Sequence, residues 1–275
     1  MSPLIKFPMP ATAVIAIPAR LASQRLPNKM LLAETGKPLI EHTWSNATRA
    51  TRATEVVVVT DTEAIANTVT GFGGHAVLTS PEASSGTARI VEALPQLPAA
   101  DIIVNLQGDE PELPPDAIDM AISLLDRCPA AGVATLVTPL RSETALHDSS
   151  VVKALLTPWR ESAQTPRHAV DAGPSAWRAI TFSRAPVPAA RDWNPNLLRA
   201  TPPLFWQHIG VYAYRRNLLE RWNTLPASRL ADLESLEQLR LVEAAIPIVA
   251  AAITDAAVGI DTPADYAAFV QRMQG

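Results

Sequence analysis

The chain has 275 residues, 48% hydrophobic and 18% charged, with a formal net charge of -4 from 27 acids and 23 bases. That balance supports a sizeable buried core, excludes a disordered chain and gives no electrostatic reason to expect nucleic acid as a partner. A single cysteine, Cys128, excludes an intramolecular disulfide and fits a reducing compartment.

From Met1 to Arg20, Lys6 is the one base before a short apolar run that ends at Pro18 and Arg20. The run lacks the length of a membrane span and the small-residue cleavage site of a secretory signal. A soluble, cytoplasmic chain without membrane insertion is therefore expected. Ala13–Ile17 (AVIAI) is apolar on both faces and predicts a buried strand. Pro38–Ala50 has apolar residues at helical spacing, with Pro38 suited to the first turn. Glu55–Thr60 predicts a second strand, and Asp61 the N-cap of a short helix ending near Gly71. Ala76–Leu78 and Ile102–Leu106 follow as strands, and Pro114–Arg127 as a helix. This alternation predicts an α/β fold, a mostly parallel sheet with helices on both faces.

Beyond residue 140 the pattern is less regular. Strands are expected at Val151–Leu156, Ile180–Ser183 and His208–Tyr214, and helices at Leu230–Ala245 and Pro263–Met273. Thr157–Arg178 and Pro186–Pro203 are polar or Pro-rich and predict loops. There is no internal repeat, heptad array or linker, so a single domain over residues 1–275 with an added lobe is expected.

Three segments carry chemistry. Pro18–Lys29 (PARLASQRLPNK) follows the first strand and holds Arg20, Arg25 and Lys29. Ligands of open α/β sheets bind at the carboxyl ends of strands, and such a loop can wrap a polyphosphate. A solvated basic loop fits the same residues equally well. No GxGxxG or GxxxxGK[ST] is present, so neither a dinucleotide site nor a P-loop is supported. Asn105–Pro111 (NLQGDEP) ends the fourth strand, and Asp109 there suits a Mg²⁺ ligand beside phosphates, or simply a surface turn. In Gly259–Pro263 (GIDTP), Asp261 or Thr262 could cap the last helix. If the sheet brings Asp261 next to Asp109, the two would form a two-carboxylate metal site.

In combination, AVIAIPARLASQRLPNKML, SSGTAR, NLQGDEP, FSRAPVP, HIGVYAYR, LESLEQLR and GIDTP occur in this order. The chain thereby resembles the 3-deoxy-D-manno-octulosonate (Kdo) cytidylyltransferases, also called CMP-Kdo synthetases, from about Val14 to the last helix. The resemblance implies a nucleotide-diphospho-sugar transferase-like, Rossmann-like fold, with residues 180–245 forming a smaller sugar-binding and dimerisation lobe. It implies transfer of CMP from CTP to Kdo for lipopolysaccharide assembly, with Mg²⁺ as cofactor, in a homodimer. Arg20, Arg25 and Lys29 match the CTP phosphate loop, Ser85 a nucleotide-side position, and Gln107 a position between nucleotide and sugar. Asp109 and Asp261 match the metal ligands, and Lys29 joins them as a catalytic residue. Arg184, Arg191, His208, Tyr212, Glu237 and Gln238 match the sugar pocket. These types suit a sugar that carries a carboxylate and many hydroxyls. Apolar residues dense between 204 and 225 (Trp206, Ile209, Val211, Trp222, Leu225) offer a candidate dimer surface.

The chain departs from the family pattern at Ala88, where an acid is usual, and at Ala189, where an aromatic is usual. It departs again at Ala231-Asp232, in place of a commoner Glu-His pair, and in its longer 157–178 stretch. The departures leave a related acidic or amino sugar, such as 8-amino-Kdo, as an alternative substrate, and a non-catalytic nucleotide binder as a second alternative.

Overall fold

Segments of Val, Ile and Ala that are apolar on both faces need cover on two sides. A computed structural model describes residues 11–23, 25–160, 176–254 and 259–274, and shows how the chain supplies that cover. Most of the expected 157–178 loop lies outside the described residues. The elements run β1 (Ala13–Ala19), α1 (Leu39–Ala47), β2 (Ala53–Thr60), α2 (Glu63–Gly71), β3 (His75–Leu78), α3 (Gly86–Ala93), β4 (Ile102–Asn105) and α4 (Pro115–Arg127). There follow β5 (Val133–Pro139), α5 (Glu143–His147), β6 (Lys153–Pro158), β7 (Trp177–Ser183), β8 (Trp206–Arg215) and α6 (Arg216–Glu220). The chain closes with α7 (Arg229–Glu234), α8 (Gln238–Glu243), β9 (Ile248–Ala252) and α9 (Pro263–Gln274).

Alternation along β1 separates two cores. Ala13, Ile15 and Ile17 pack with Ile118 and Ile122 of α4, whereas Val14 and Ala16 pack with Ile90 and Ala93 of α3. Each fully buried Ile or Leu contributes about 1.5–3 kcal/mol, so this two-sided burial is the main force that holds the layers together.

Among the described residues the strands form one sheet in the order β3-β2-β1-β4-β8-β5-β9-β7-β6. The expectation of parallel strands holds for β3-β2-β1-β4 and for β5 against β9. It does not hold elsewhere, and the sheet is mixed. β8 arrives from the long connection after Arg184 and runs antiparallel between β4 and β5, and β6 and β7 form an antiparallel pair.

Other local expectations shift for stated reasons. Pro38 is the N-cap of α1, one place before the first turn, and Thr62 rather than Asp61 caps α2, accepting from Ile65 N–H. Asp61 instead pairs with the buried Arg89 at 3.1 Å. The single helix expected over Leu230–Ala245 is two, because Ser235 adopts a left-handed backbone (φ 50°) between α7 and α8. β6 and β7 run into the expected loop, pairing Thr157 with Arg178. Of the residues expected at a dimer surface, Trp206, Ile209 and Val211 are buried because β8 is a central strand with both faces covered, Trp222 is buried against Tyr214, and Leu225 is half-buried. No helix among the described residues is long and apolar enough to cross a membrane.

Candidate active site

The loop after β1 is pinned where its cations act. Asn28 turns the chain through the left-handed region (φ 54°) into a short 3-10 turn at Lys29–Leu31, which buries Lys29 and Met30. Lys29 Nζ lies 2.5 Å from Asp109 Oδ2 and 3.1 Å from Asp261 Oδ1. Arg25 Nη2 lies 2.9 Å from Asp261 Oδ2. The basic loop, NLQGDEP and GIDTP therefore meet at one point.

Packing explains why they meet. Leu26 of the loop, Ile260 beside Asp261, and Leu39, Tyr266 and Phe269 form a small apolar cluster of their own. Ile260 N–H donates to Asp109 C=O at 2.9 Å, fastening the two acidic turns together. Thr262 Oγ1 accepts from Asp265 N–H (3.2 Å) and Asp265 Oδ2 accepts from Thr262 N–H (2.8 Å), a reciprocal cap on α9. Thr262 thus takes the capping role, and Asp261 is free to face the cations. Tyr266 hydroxyl donates to the Glu34 carboxylate, tying α9 back to the loop, and burial pushes that phenol up to about 12. Gly108 lets the chain pass closely here, since a Cβ would lie 3.0 Å from Met30 Sδ and 3.3 Å from Pro18 O and one of them would have to give way.

These residues line a cleft of about 640 Å³ that includes Arg20, Arg25, Lys29, Gln107, Asp109 and Asp261. Among the described residues no group of three or more His, Cys, Asp or Glu side chains forms a metal cage. The donor set is instead two carboxylates that already converge on one cationic centre, the Lys29 ammonium. Two carboxylates, open to water and substrate phosphate oxygens, fit a hard divalent ion such as Mg²⁺.

One further residue belongs here that the sequence reading assigned no role. Burial pushes the Glu110 carboxyl up to about 8, with the charges of Asp109 and Asp261 adding to the effect. Its Oε2 is buried without a hydrogen-bond partner among the described residues. Its place directly after Asp109 was the available signal, but sequence cannot separate a buried carboxyl from one on a surface turn.

Gln107 also lines a second cleft of about 340 Å³, together with Arg184, His208, Tyr212, Glu237 and Gln238. The side chain of Gln107 donates to Asn105 Oδ1 at 3.0 Å, and Asn105 donates to Thr87 at 3.3 Å, a polar chain at the end of β4. His208 Nε2 lies 3.0 Å from Thr135 Oγ1, which donates to Val211 C=O at 2.8 Å. That hydroxyl then accepts from His208, assigning the proton to Nε2 and leaving Nδ1 as an acceptor. The Arg184 guanidinium donates to Glu234 C=O at 2.6 Å and to Ser149 C=O at 2.9 Å.

Ser85 lies apart from the first cleft. Its hydroxyl caps α3, accepting from Ala88 N–H at 3.1 Å, and it lines a third cleft of about 610 Å³ with Ala88, Asp232 and Glu237. Arg191 lines none of the three clefts, because the connection carrying it is exposed from Ala189 through Asn196. Twelve of the thirteen expected site residues thus reach a cleft, and Arg191 does not.

Burial lowers the His208 pKa to about 3, so the folded protein keeps it neutral while the unfolded chain protonates it near 6.5. Its contribution to stability is full above about 6.5 and declines as pH falls from there toward 3. In His208→Gln, denaturant titrations at pH 7 and pH 4.5 should show a smaller acid loss than in the wild type. An unchanged acid loss would contradict the burial argument.

The chain is similar to known proteins over most of its length. A cytidylyltransferase family profile matches residues 13–248. The chain is 43% identical to a 3-deoxy-manno-octulosonate cytidylyltransferase of Rhodopirellula baltica, over 95% of this chain and 98% of that one. It is 39% identical to an 8-amino-3,8-dideoxy-manno-octulosonate cytidylyltransferase of Shewanella piezotolerans, over 91% of this chain and 94% of that one. Its fold is similar to a solved CMP:2-keto-3-deoxy-manno-octonic acid synthetase complexed with CTP, with a TM-score of 0.81 at 36% identity, covering 96% of this chain and 98% of that one.

Proposed function

This chain belongs to the cytidylyltransferase family, and on that premise we propose that it transfers CMP from CTP to the anomeric hydroxyl of Kdo, releasing pyrophosphate. The observation that carries the reading is the meeting of Arg25, Lys29, Asp109 and Asp261 in a cleft that shares Gln107 with a second, polar cleft. A triphosphate in the first and a polyhydroxylated acid in the second would place the reacting groups on either side of Gln107.

Phosphoryl chemistry of this kind needs positioning and charge compensation more than a covalent nucleophile. Arg20, Arg25 and Lys29 hold the phosphates and offset charge that builds on the leaving pyrophosphate. Asp109 and Asp261 would hold Mg²⁺, which when bound polarises the α-phosphate. Arg184 receives the acceptor carboxylate, and neutral His208 offers an acceptor nitrogen to a sugar hydroxyl. Tyr212, Glu237 and Gln238 complete the hydroxyl partners. Gln107 orients both substrates, and Ser85 serves the nucleotide side by fixing the start of α3. Arg191 keeps a sugar-side role in this reading only if its connection closes over bound acceptor.

The same reading takes residues 180–245 as the sugar-side lobe and the chain as a cytoplasmic homodimer that supplies lipopolysaccharide assembly. Leu230 and Leu233 of α7 are 45% and 79% exposed and offer apolar surface to a second copy. The test is pyrophosphate release from CTP and Mg²⁺ with Kdo, with its 8-amino analogue, and with no acceptor, beside a mass by light scattering. Acceptor-dependent release that favours Kdo is expected from a dimeric species. Preference for the amino analogue would move the substrate assignment, and no release with any acceptor would reject the reaction.

A further inference from the structure

We propose that Lys153 is a positioning residue for the acceptor cleft, fixing one of its walls and the Arg184 guanidinium without touching substrate itself. The inference rests on the functional reading above for the identity of that cleft's occupant.

Lys153 opens β6 and is 0% exposed. A buried ammonium is costly unless every proton finds an acceptor, and here all three do. Lys153 Nζ donates to Asp148 C=O at 2.9 Å, to Val151 C=O at 2.7 Å and to Arg184 C=O at 2.5 Å. Among the described residues it has no carboxylate within ion-pair distance. An apolar side chain at this place, which pairs with Ser183 and Gln207 across the sheet, would be buried at lower cost, so the ammonium is explained by what its three bonds hold.

Those bonds gather two stretches of chain that line the acceptor cleft. Val152, next to the bonded Val151, lines it directly, and Val152 C=O accepts from His208 N–H at 2.8 Å. Arg184 lines it too, and closes the loop by donating through Nη1 to Ser149 C=O at 2.9 Å. Lys153 therefore holds the backbone of Arg184 while the side chain of Arg184 holds the same 148–151 wall from the other end. Glu234 completes the clasp: its Oε2 accepts from Arg184 N–H at 2.5 Å, and its carbonyl accepts from Arg184 Nε at 2.6 Å. The next residue is Ser235, whose left-handed turn brings Glu237 and Gln238 into the cleft. None of these residues lines the phosphate cleft. The physical consequence is selectivity: loosening the clasp misplaces acceptor partners and leaves the phosphate cleft in place.

The test compares wild type with Lys153→Met, which keeps the length of the stem and removes the three donors. Both substrates are titrated with whichever acceptor of the panel the wild type turns over, so a wrong choice of sugar shows in the wild type alone. The acceptor KM is expected to rise about tenfold or more, with the CTP KM changed less than about twofold. Hydrogen exchange, which needs no substrate, should quicken at residues 148–152 and stay unchanged at residues 18–29. If Lys153→Met fails to fold, Glu234→Gln weakens the clasp from its more exposed side and should show the same split at smaller size. Parallel rises in both KM values, or an unchanged acceptor KM in a variant that merely melts lower, would assign Lys153 to general stability and overturn the proposal.

Discussion

Asp109→Asn and Asp261→Asn are each expected to lower turnover by roughly 10²-fold or more while remaining folded. The two carboxylates come from turns far apart in the chain, yet both lie within 3.1 Å of the same ammonium of Lys29. Two acids held that close are an electrostatic cost unless cations answer them, and Lys29 and Arg25 already do so in part. An amide keeps the shape of the side chain and removes the charge and one hard oxygen. A loss of several kcal/mol of transition-state stabilisation follows if the pair holds a divalent ion on the triphosphate. Stability should change little, because Asp261 is 45% exposed and Asp109 keeps its backbone bond from Ile260. The measurement is kcat at saturating CTP and Mg²⁺, beside a thermal melt. Turnover near that of the wild type in either variant would remove the pair from the chemistry.

The largest stability effect is expected at Arg89, away from the reacting groups. Its guanidinium is 4% exposed and donates to Asp61 Oδ2 at 3.1 Å, to Thr79 Oγ1 at 2.6 Å and to Ser80 C=O at 3.2 Å. It fastens α3 to the chain after β2 and β3, behind the turn that carries Ser85. Arg89→Met leaves the mostly buried Asp61 without its cation, and its buried Oδ1 is already without a partner among the described residues. Removing one member of a buried pair typically costs about 3–5 kcal/mol, whereas replacing both by apolar groups is often near neutral. Urea titration of Arg89→Met should show that loss, and the double variant Arg89→Met/Asp61→Leu should recover most of it. A single variant as stable as the wild type would mean that water reaches Asp61 and that the pair is not truly buried.

The residues proposed for the phosphate side were legible in the sequence because their pattern is local. A cationic loop directly after a buried strand and a Gly-Asp turn directly after another strand sit at strand ends by their spacing alone. Family resemblance then supplied the acceptor-side residues, most of which do line one cleft. Strand and helix types were legible where an apolar run was continuous, as in β1 and β2, or where the helical period was clean, as in α4. They were missed where the elements are short, as in α3, α5 and β9, or where threonines interrupt the apolar run, as in β5.

What remained to tertiary structure was distance, direction and dielectric. No spacing rule brings Asp261 to Asp109; a shared apolar cluster around Leu26, Ile260 and Phe269 does. No periodicity states that β8 runs antiparallel into the middle of the sheet, which buries Trp206, Ile209 and Val211 that looked free for a partner. A charged residue reads alike in sequence whether water surrounds it or not, so the buried carboxyl of Glu110 and the carbonyl-bound ammonium of Lys153 stayed invisible, and Arg191 looked no different from Arg184. The sequence by itself determined which side chains with the right chemistry stand at the strand ends, because that depends on neighbours along the chain. Only the folded sheet decided which of them meet and which lose their water, because electrostatic interactions act through space and strengthen as solvent is excluded.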